Sequence, residues 1–460
     1  MRESERNPFL RGNFAPWRLE GVALDLEVTG ELPRDLAGTF YRNGPNPAFE
    51  PLGPYHWFDG DGMIHALQIA DGRAAYRNRW VQSAGLLEER RAGKALFPGL
   101  LALASGEGAG FKNTANTNIV WHAGKLLALI EAALPTRLAP DDLSTIGEHA
   151  FDGRLSGAMT AHPKMDPETG EMLFFGYAPF PPYLTYHVVD RHGGLLRSVP
   201  IDLPWPSMIH DFAVTRDEVI FILCPLLFSF ENIPQRGGVF SWEPERGTRL
   251  GVMPRGGAAA DVRWFETGPS YVFHSLNAYR SGDKIVLDVA RYPRLLFMSP
   301  SQARADDAPD GARLHRWHLD LTAGSVRDEP LDDCQGEFPR LDERRAGLRH
   351  RYGYVALRVP GEPNAGAELL TGIRRYDLDG GRTQTRCFGA GNGTGEPLFI
   401  PRRPESAEDD GYVVSLVYDA ARDASDFYVL DAADITSEPV AVVHLPHRVP
   451  YGFHGNWVAA

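Results

Sequence analysis

Apolar residues in this chain come in short runs that alternate with polar positions and stop at Gly, Pro, Asn or Asp. Period-two alternation marks half-buried strands, and runs this short, bounded by turn residues, favour strands over helices. One phrase recurs: a few β-branched or aromatic residues, then Asp, then a turn that often contains Gly. It appears as Leu67-Gln68-Ile69-Ala70-Asp71-Gly72, as His187-Val188-Val189-Asp190 before Gly193-Gly194, and as Trp317-His318-Leu319-Asp320 before Gly324. It returns as Tyr376-Asp377-Leu378-Asp379-Gly380-Gly381 and as Tyr428-Val429-Leu430-Asp431. An Asp that ends a strand can accept hydrogen bonds from its own turn, and Gly supplies the positive φ. Degenerate repetition at a spacing of roughly 50 residues predicts propeller blades, each a four-stranded sheet. A β-sandwich uses the same turn chemistry and is the alternative architecture.

Few stretches read as helical. The main one is Leu86 to Leu101, a charged face followed by an apolar run that Pro98 interrupts. Its apolar part, Ala95 to Leu103, suits a lip resting on a membrane surface as well as a buried cap.

Composition narrows the function. The 460 residues are 43% hydrophobic, enough for a large core. Lys and Arg total 47 against 60 for Asp and Glu, a formal charge of −13. Such a surface repels phosphate backbones, which excludes nucleic acid as an expected partner. Cys224, Cys334 and Cys387 are odd in number and widely spaced, so they predict buried thiols in a reducing cytoplasm and neither a disulfide framework nor a thiolate metal site. The charged start, Met1 to Arg6, does not read as a signal peptide. No apolar run reaches the roughly 18 residues needed to span a bilayer.

Four of the 15 histidines stand in apolar or small-residue settings: Ala161-His162-Pro163, Ile209-His210-Asp211-Phe212, Phe273-His274-Ser275 and Gly452-Phe453-His454-Gly455. For each alone, a core histidine is the ordinary role. Together they are far apart in sequence and would have to converge from different blades onto the propeller axis. Neutral imidazoles suit first-row transition metals, and geometry alone leaves Fe, Cu and Ni open. Four neutral ligands leave the metal charge uncompensated, and ligating histidines normally donate their other ring N–H to an acceptor. Three acids sit beside apolar residues or Pro and are candidates for that role: Glu131 in Leu129-Ile130-Glu131, Glu337 in Glu337-Phe338-Pro339, and Glu396 in Gly395-Glu396-Pro397. No phosphate-cradling Gly motif is present in a strand-to-helix setting, so no organic cofactor is expected.

The whole chain resembles the carotenoid cleavage oxygenase family. The matching phrases include Phe40-Tyr41-Arg42-Asn43-Gly44-Pro45-Asn46-Pro47, Trp57-Phe58-Asp59-Gly60-Asp61-Gly62-Met63, Asn113-Thr114-Ala115-Asn116-Thr117, Ala161-His162-Pro163, His210-Asp211-Phe212, Glu337-Phe338-Pro339, Glu396-Pro397 and Gly452-Phe453-His454-Gly455. The resemblance implies an all-β fold over residues 1–460, a single seven-bladed β-propeller with loops and short helices capping the metal-bearing face. It also implies that His162, His210, His274 and His454 hold Fe(II), and that Glu131, Glu337 and Glu396 accept from the imidazoles of His210, His274 and His454. Thr117 matches a position whose methyl restricts a vacant coordination site. The reaction implied is scission of an alkene C=C by O2 into two carbonyl products.

Family members divide between carotenoid or apocarotenoid polyenes and phenolic stilbenes or phenylpropenes. The phenol-cleaving branch resembles one another in a Lys immediately before the first of the three Glu and a Tyr some thirty residues upstream. Here Ile130 stands at the Lys position, and Gly99 to Gly110 contains no Tyr. An unpaired phenolate in an apolar pocket costs on the order of 1–3 kcal/mol, so a lining of Ile130, Phe273 and Leu398 is expected to suit a polyene. Family members also place a membrane-dipping patch where Ala95 to Leu103 falls, which makes the expected location cytoplasmic and peripheral to a membrane. Two alternatives stand beside the apocarotenoid reading: a stilbene- or phenylpropene-cleaving dioxygenase with the same metal site, and a non-catalytic propeller whose histidines are structural.

Overall fold

A computed structural model describes residues 7–99, 110–231, 238–295, 311–360 and 370–460. Its sheets form seven antiparallel blades. Blades 2 to 6 run in chain order, with innermost strands Asn118–His122, Lys164–Met165, Phe212–Val214, Tyr271–Ser281 and Gly336–Arg340. Blades 1 and 7 mix the two ends of the chain. The C-terminal strand Gly455–Ala459 pairs with Gly38–Pro45 as the inner edge of blade 1, and the early strand Val28–Gly30 pairs with Ala441–His444 at the outer edge of blade 7. Each end therefore closes the ring by hydrogen bonding to the opposite end.

The recurrent Asp turn does what its chemistry allows. Asp71 and Gly72 have φ of +52° and +74°, and they join Gly62–Ala70 to Arg73–Trp80 as a two-residue hairpin loop. In the blade 3 copy, Asp190 Oδ1 accepts the N–H groups of His192 and Gly194. In the blade 5 copy, Asp320 Oδ1 accepts those of Thr322 and Ala323.

The core is a ring of apolar interfaces, one between each pair of neighbouring blades. Blades 4 and 5 meet through Phe265, Trp317 and Leu319; blades 7 and 1 meet through Leu398, Tyr412, Val443, Phe40 and Leu67. Full burial of such a side chain contributes about 1.5–3 kcal/mol.

Two expectations change. The helix runs only over Ala84–Ala92, because Ser83 caps its start and Gly93, at φ +68°, ends it in the left-handed conformation. Ala95 to Gly99 continues without helix, and the rest of the Ala95 to Leu103 stretch lies outside the described residues. Of the three cysteines only Cys224 is buried; Cys387 is exposed at the end of the outer strand Arg382–Cys387 of blade 6.

Candidate metal centre

The four candidate histidines each stand at or near the start of an innermost strand. His162 precedes Lys164–Met165, His210 precedes Phe212–Val214, His454 precedes Gly455–Ala459, and His274 lies within Tyr271–Ser281. The structure brings these four together: their ligand atoms all lie within 4.8 Å of one another. His162 Nε2 and His210 Nε2 are 3.0 Å apart.

A carboxylate meets the far nitrogen of three of these rings. Glu131 Oε2 is 2.5 Å from His210 Nδ1, Glu337 Oε2 is 2.5 Å from His274 Nδ1, and Glu396 Oε1 is 2.9 Å from His454 Nδ1. An ionised carboxylate only accepts, so each Nδ1 is the protonated nitrogen and each Nε2 of the neutral ring carries a lone pair. Those lone pairs point at one another, and His274 Nε2 is buried with no hydrogen-bond partner among the described residues. A divalent cation satisfies that arrangement; a hydrogen-bond network of four neutral imidazoles does not.

The carboxylates are held in turn. Glu396 also accepts the Gly455 N–H at 2.8 Å and lies 3.1 Å from Arg340 Nη1. Burial pushes its pKa up, but Arg340 and His454 outweigh that and hold it down at about 2. Glu131 Oε1 accepts the Tyr177 hydroxyl at 2.6 Å. Glu337 Oε2 accepts the N–H of Phe338, a residue at φ +56° where the ladder with Tyr352–Leu357 slips register. Burial lowers the pKa of His274, yet the facing Glu337 raises it overall. For His454 burial wins, and the pKa falls to about 4.

Several quoted motifs are brackets for this cluster. Asn43, fully buried, donates to the carbonyls of Ala115 and Asn118 while its backbone exchanges hydrogen bonds with Phe453 and His454. Asn118 donates to Ala161 O at 2.7 Å, next to His162. Gly452 permits a close approach of backbones, since a Cβ there would lie 2.8 Å from the Asn43 carbonyl oxygen. The Thr117 carbonyl accepts the His454 N–H at 3.2 Å, and its hydroxyl is taken up by Asn116 Oδ1, which leaves the methyl as its free part.

A cavity of about 660 Å³ opens from the cluster. Thr117, Ile130 and Phe273 line it, together with Phe58, Phe228 and Phe240. Leu398 does not. Its strand turns it into the interface between blades 7 and 1, where it is 3% exposed, so it is a core residue and not a lining one. Sequence reasoning missed Tyr177 and Arg340. Arg340 follows Glu337 by three positions in the same strand, which is a usable signal; Tyr177 ends an ordinary apolar strand and carries none.

The model of the retinal pigment epithelial membrane protein family matches residues 14–459. The chain belongs to this family, the carotenoid cleavage oxygenases. It is 38% identical to carotenoid 9,10(9',10')-cleavage dioxygenase 1 of Arabidopsis thaliana, over 98% of this chain and 89% of that one. It is 37% identical to isoeugenol monooxygenase of Pseudomonas nitroreducens, over 99% of both. Among solved structures, it is similar to the lignostilbene dioxygenase of Pseudomonas brassicacearum, with a TM-score of 0.94 at 34% identity over 99% of each chain. It is also similar to cobalt-substituted Synechocystis apocarotenoid oxygenase, with a TM-score of 0.86 at 31% identity over 97% of each. This carotenoid cleavage oxygenase is thus a seven-bladed, metal-dependent oxygenase, and the four clustered imidazoles are its candidate metal donors.

Proposed function

We propose that His162, His210, His274 and His454 hold Fe(II), and that the enzyme cleaves one C=C bond of an apocarotenoid or carotenoid with O2 to give two aldehydes. The observation that carries this reading is the convergence of four imidazoles, three of them oriented by carboxylates, at the wall of an aromatic cavity. Bound Fe(II) would supply the electrons that let O2 react with an alkene. The chain's own residues do the rest. Glu131, Glu337 and Glu396 orient the rings and offset the metal charge, Thr117 presents a methyl toward the cavity, and the aromatic lining excludes water. The cavity is in the range that encloses one small molecule. Ile130 adjoins Glu131 in its wall and offers a polyene only methyl and methylene groups. Leu52 and Phe111, exposed at the cavity mouth, supply an apolar rim for substrate arriving from a membrane surface.

A second reading, cleavage of a phenolic stilbene or phenylpropene, is favoured by the likeness to the lignostilbene dioxygenase and the isoeugenol monooxygenase. One assay separates the two. The Fe(II)-loaded protein is incubated in air with an apocarotenal, micellar β-carotene, resveratrol and isoeugenol, and the aldehydes are identified by mass spectrometry. Products from the polyenes are expected; products from the phenols alone overturn the substrate assignment.

A further inference from the structure

Asp211 lies next to His210 but does not line the cavity, and its side chain is 1% exposed. Four donors meet this carboxylate. Oδ1 is 2.7 Å from Lys164 Nζ and accepts the Phe212 N–H at 2.8 Å. Oδ2 accepts the N–H and the Oγ–H of Ser275, each at 2.7 Å. Lys164 follows His162 by two positions, Asp211 follows His210 by one and Ser275 follows His274 by one. One side chain therefore joins the segments that carry three of the four clustered histidines, across blades 3, 4 and 5.

The local backbone shows why such a tie matters. The ladder between Tyr271–Ser281 and Lys284–Tyr292 shifts register on both sides of Ser275, so His274 sits on an irregular stretch. A bulge re-aims side chains and interrupts the regular ladder. The bond from Ser275 N–H to Asp211 fixes that stretch from outside the sheet. Ser275 Oγ is also within 3.4 Å of Lys164 Nζ, so the three side chains close a small network. A buried carboxylate is costly unless paired and fully hydrogen-bonded, and here one cation and three N–H or O–H donors satisfy it.

We propose that Asp211, through Lys164 and Ser275, is a positioning residue that sets the mutual spacing of His162, His210 and His274 before a metal binds. The inference rests on the metal reading above. His454 is outside the network and is held by Glu396 and Asn43. Metal sites lose affinity when ligands are left free to relax, and removal of an outer-lying hydrogen-bond partner typically costs about 10- to 100-fold.

The test compares Asp211→Asn, Lys164→Met and Ser275→Ala with Asp288→Asn. Asp288 is an equally buried carboxylate; its backbone lies opposite Asn277 in the strand that carries His274, but its side chain pairs with Arg316 and His350 and is outside the Asp211, Lys164 and Ser275 network. Apo proteins are titrated with Co(II), reading the dissociation constant and the visible absorption that reports coordination geometry. The expected result is about 10- to 100-fold weaker binding for Asp211→Asn with an altered spectrum, smaller losses for Lys164→Met and Ser275→Ala, and an unchanged constant and spectrum for Asp288→Asn. If Asp211→Asn does not fold, the two partner variants decide. Folded variants that bind Co(II) like the unmutated protein overturn the inference alone, as does an equal loss in Asp288→Asn. An unmutated protein that binds no Co(II) overturns the metal reading and this inference with it.

Discussion

The Tyr177 hydroxyl donates to Glu131 Oε1 across 2.6 Å, while the other oxygen of the same carboxylate lies 2.5 Å from His210 Nδ1. The tyrosine, which also lines the cavity, thus links the cavity wall to one ring of the histidine cluster. Tyr177→Phe keeps the aromatic surface and leaves Glu131 short of one donor. We expect metal affinity to fall about threefold to tenfold, the equivalent of one net hydrogen bond of about 1 kcal/mol. Competition with a chelator measures it, and an unchanged affinity would show that Glu131 is positioned without the tyrosine.

Removing metal or a ligand should uncouple chemistry from fold. His162→Ala, His210→Ala, His274→Ala and His454→Ala are each expected to lose iron and turnover while unfolding near the temperature of the unmutated protein, because the seven apolar interfaces between blades do not include the metal. Glu337→Gln should sit between these and the parent, with affinity reduced about 10- to 100-fold. Elemental analysis with calorimetry reads both quantities. Full activity in any histidine variant would remove that residue from the ligand set.

Ile130→Lys should change substrate choice. It places a cation in an apolar wall beside Glu131, which disfavours a polyene and offers a phenolic oxygen a partner. The ratio of kcat/KM for an apocarotenal over resveratrol is expected to fall at least tenfold. A parent enzyme that already prefers resveratrol would show that Ile130 is no barrier to phenols.

Acid stability should depend on Asp288. Burial pushes this carboxylate's pKa up, but Arg316 at 2.7 Å and the nearby His350 outweigh it and hold the pKa below the ordinary value. Because the folded pKa is depressed, the pair stabilises the fold above the unfolded value of about 3.9 and loses that contribution as pH falls toward the folded one. Asp288→Asn leaves Arg316 without its carboxylate and should cost about 3 kcal/mol near pH 7. Denaturant unfolding should show the gap between variant and parent narrowing below about pH 4. A gap that does not change with pH would separate Asp288 from the acid limb.

The amino-acid sequence by itself determined the features whose causes are local. The Asp and Gly turns close because a side chain reaches N–H groups within four residues of it, as Asp190 does with Gly194. The apolar settings marked the histidines and the three glutamates only as candidates, and their pairing was legible through the resemblance of the motifs that carry them to a known family. Tertiary structure decided what depends on ring closure. His454 meets its three partners because Gly455–Ala459 pairs with blade 1, and Asp211 reaches Ser275 across 64 positions of chain. The orientation of Tyr177 toward Glu131, and of Leu398 into the core and away from the cavity, follows from how each strand is rotated within its blade. Nearest-neighbour residue types leave that rotation open; the packing of seven sheets around one axis sets it.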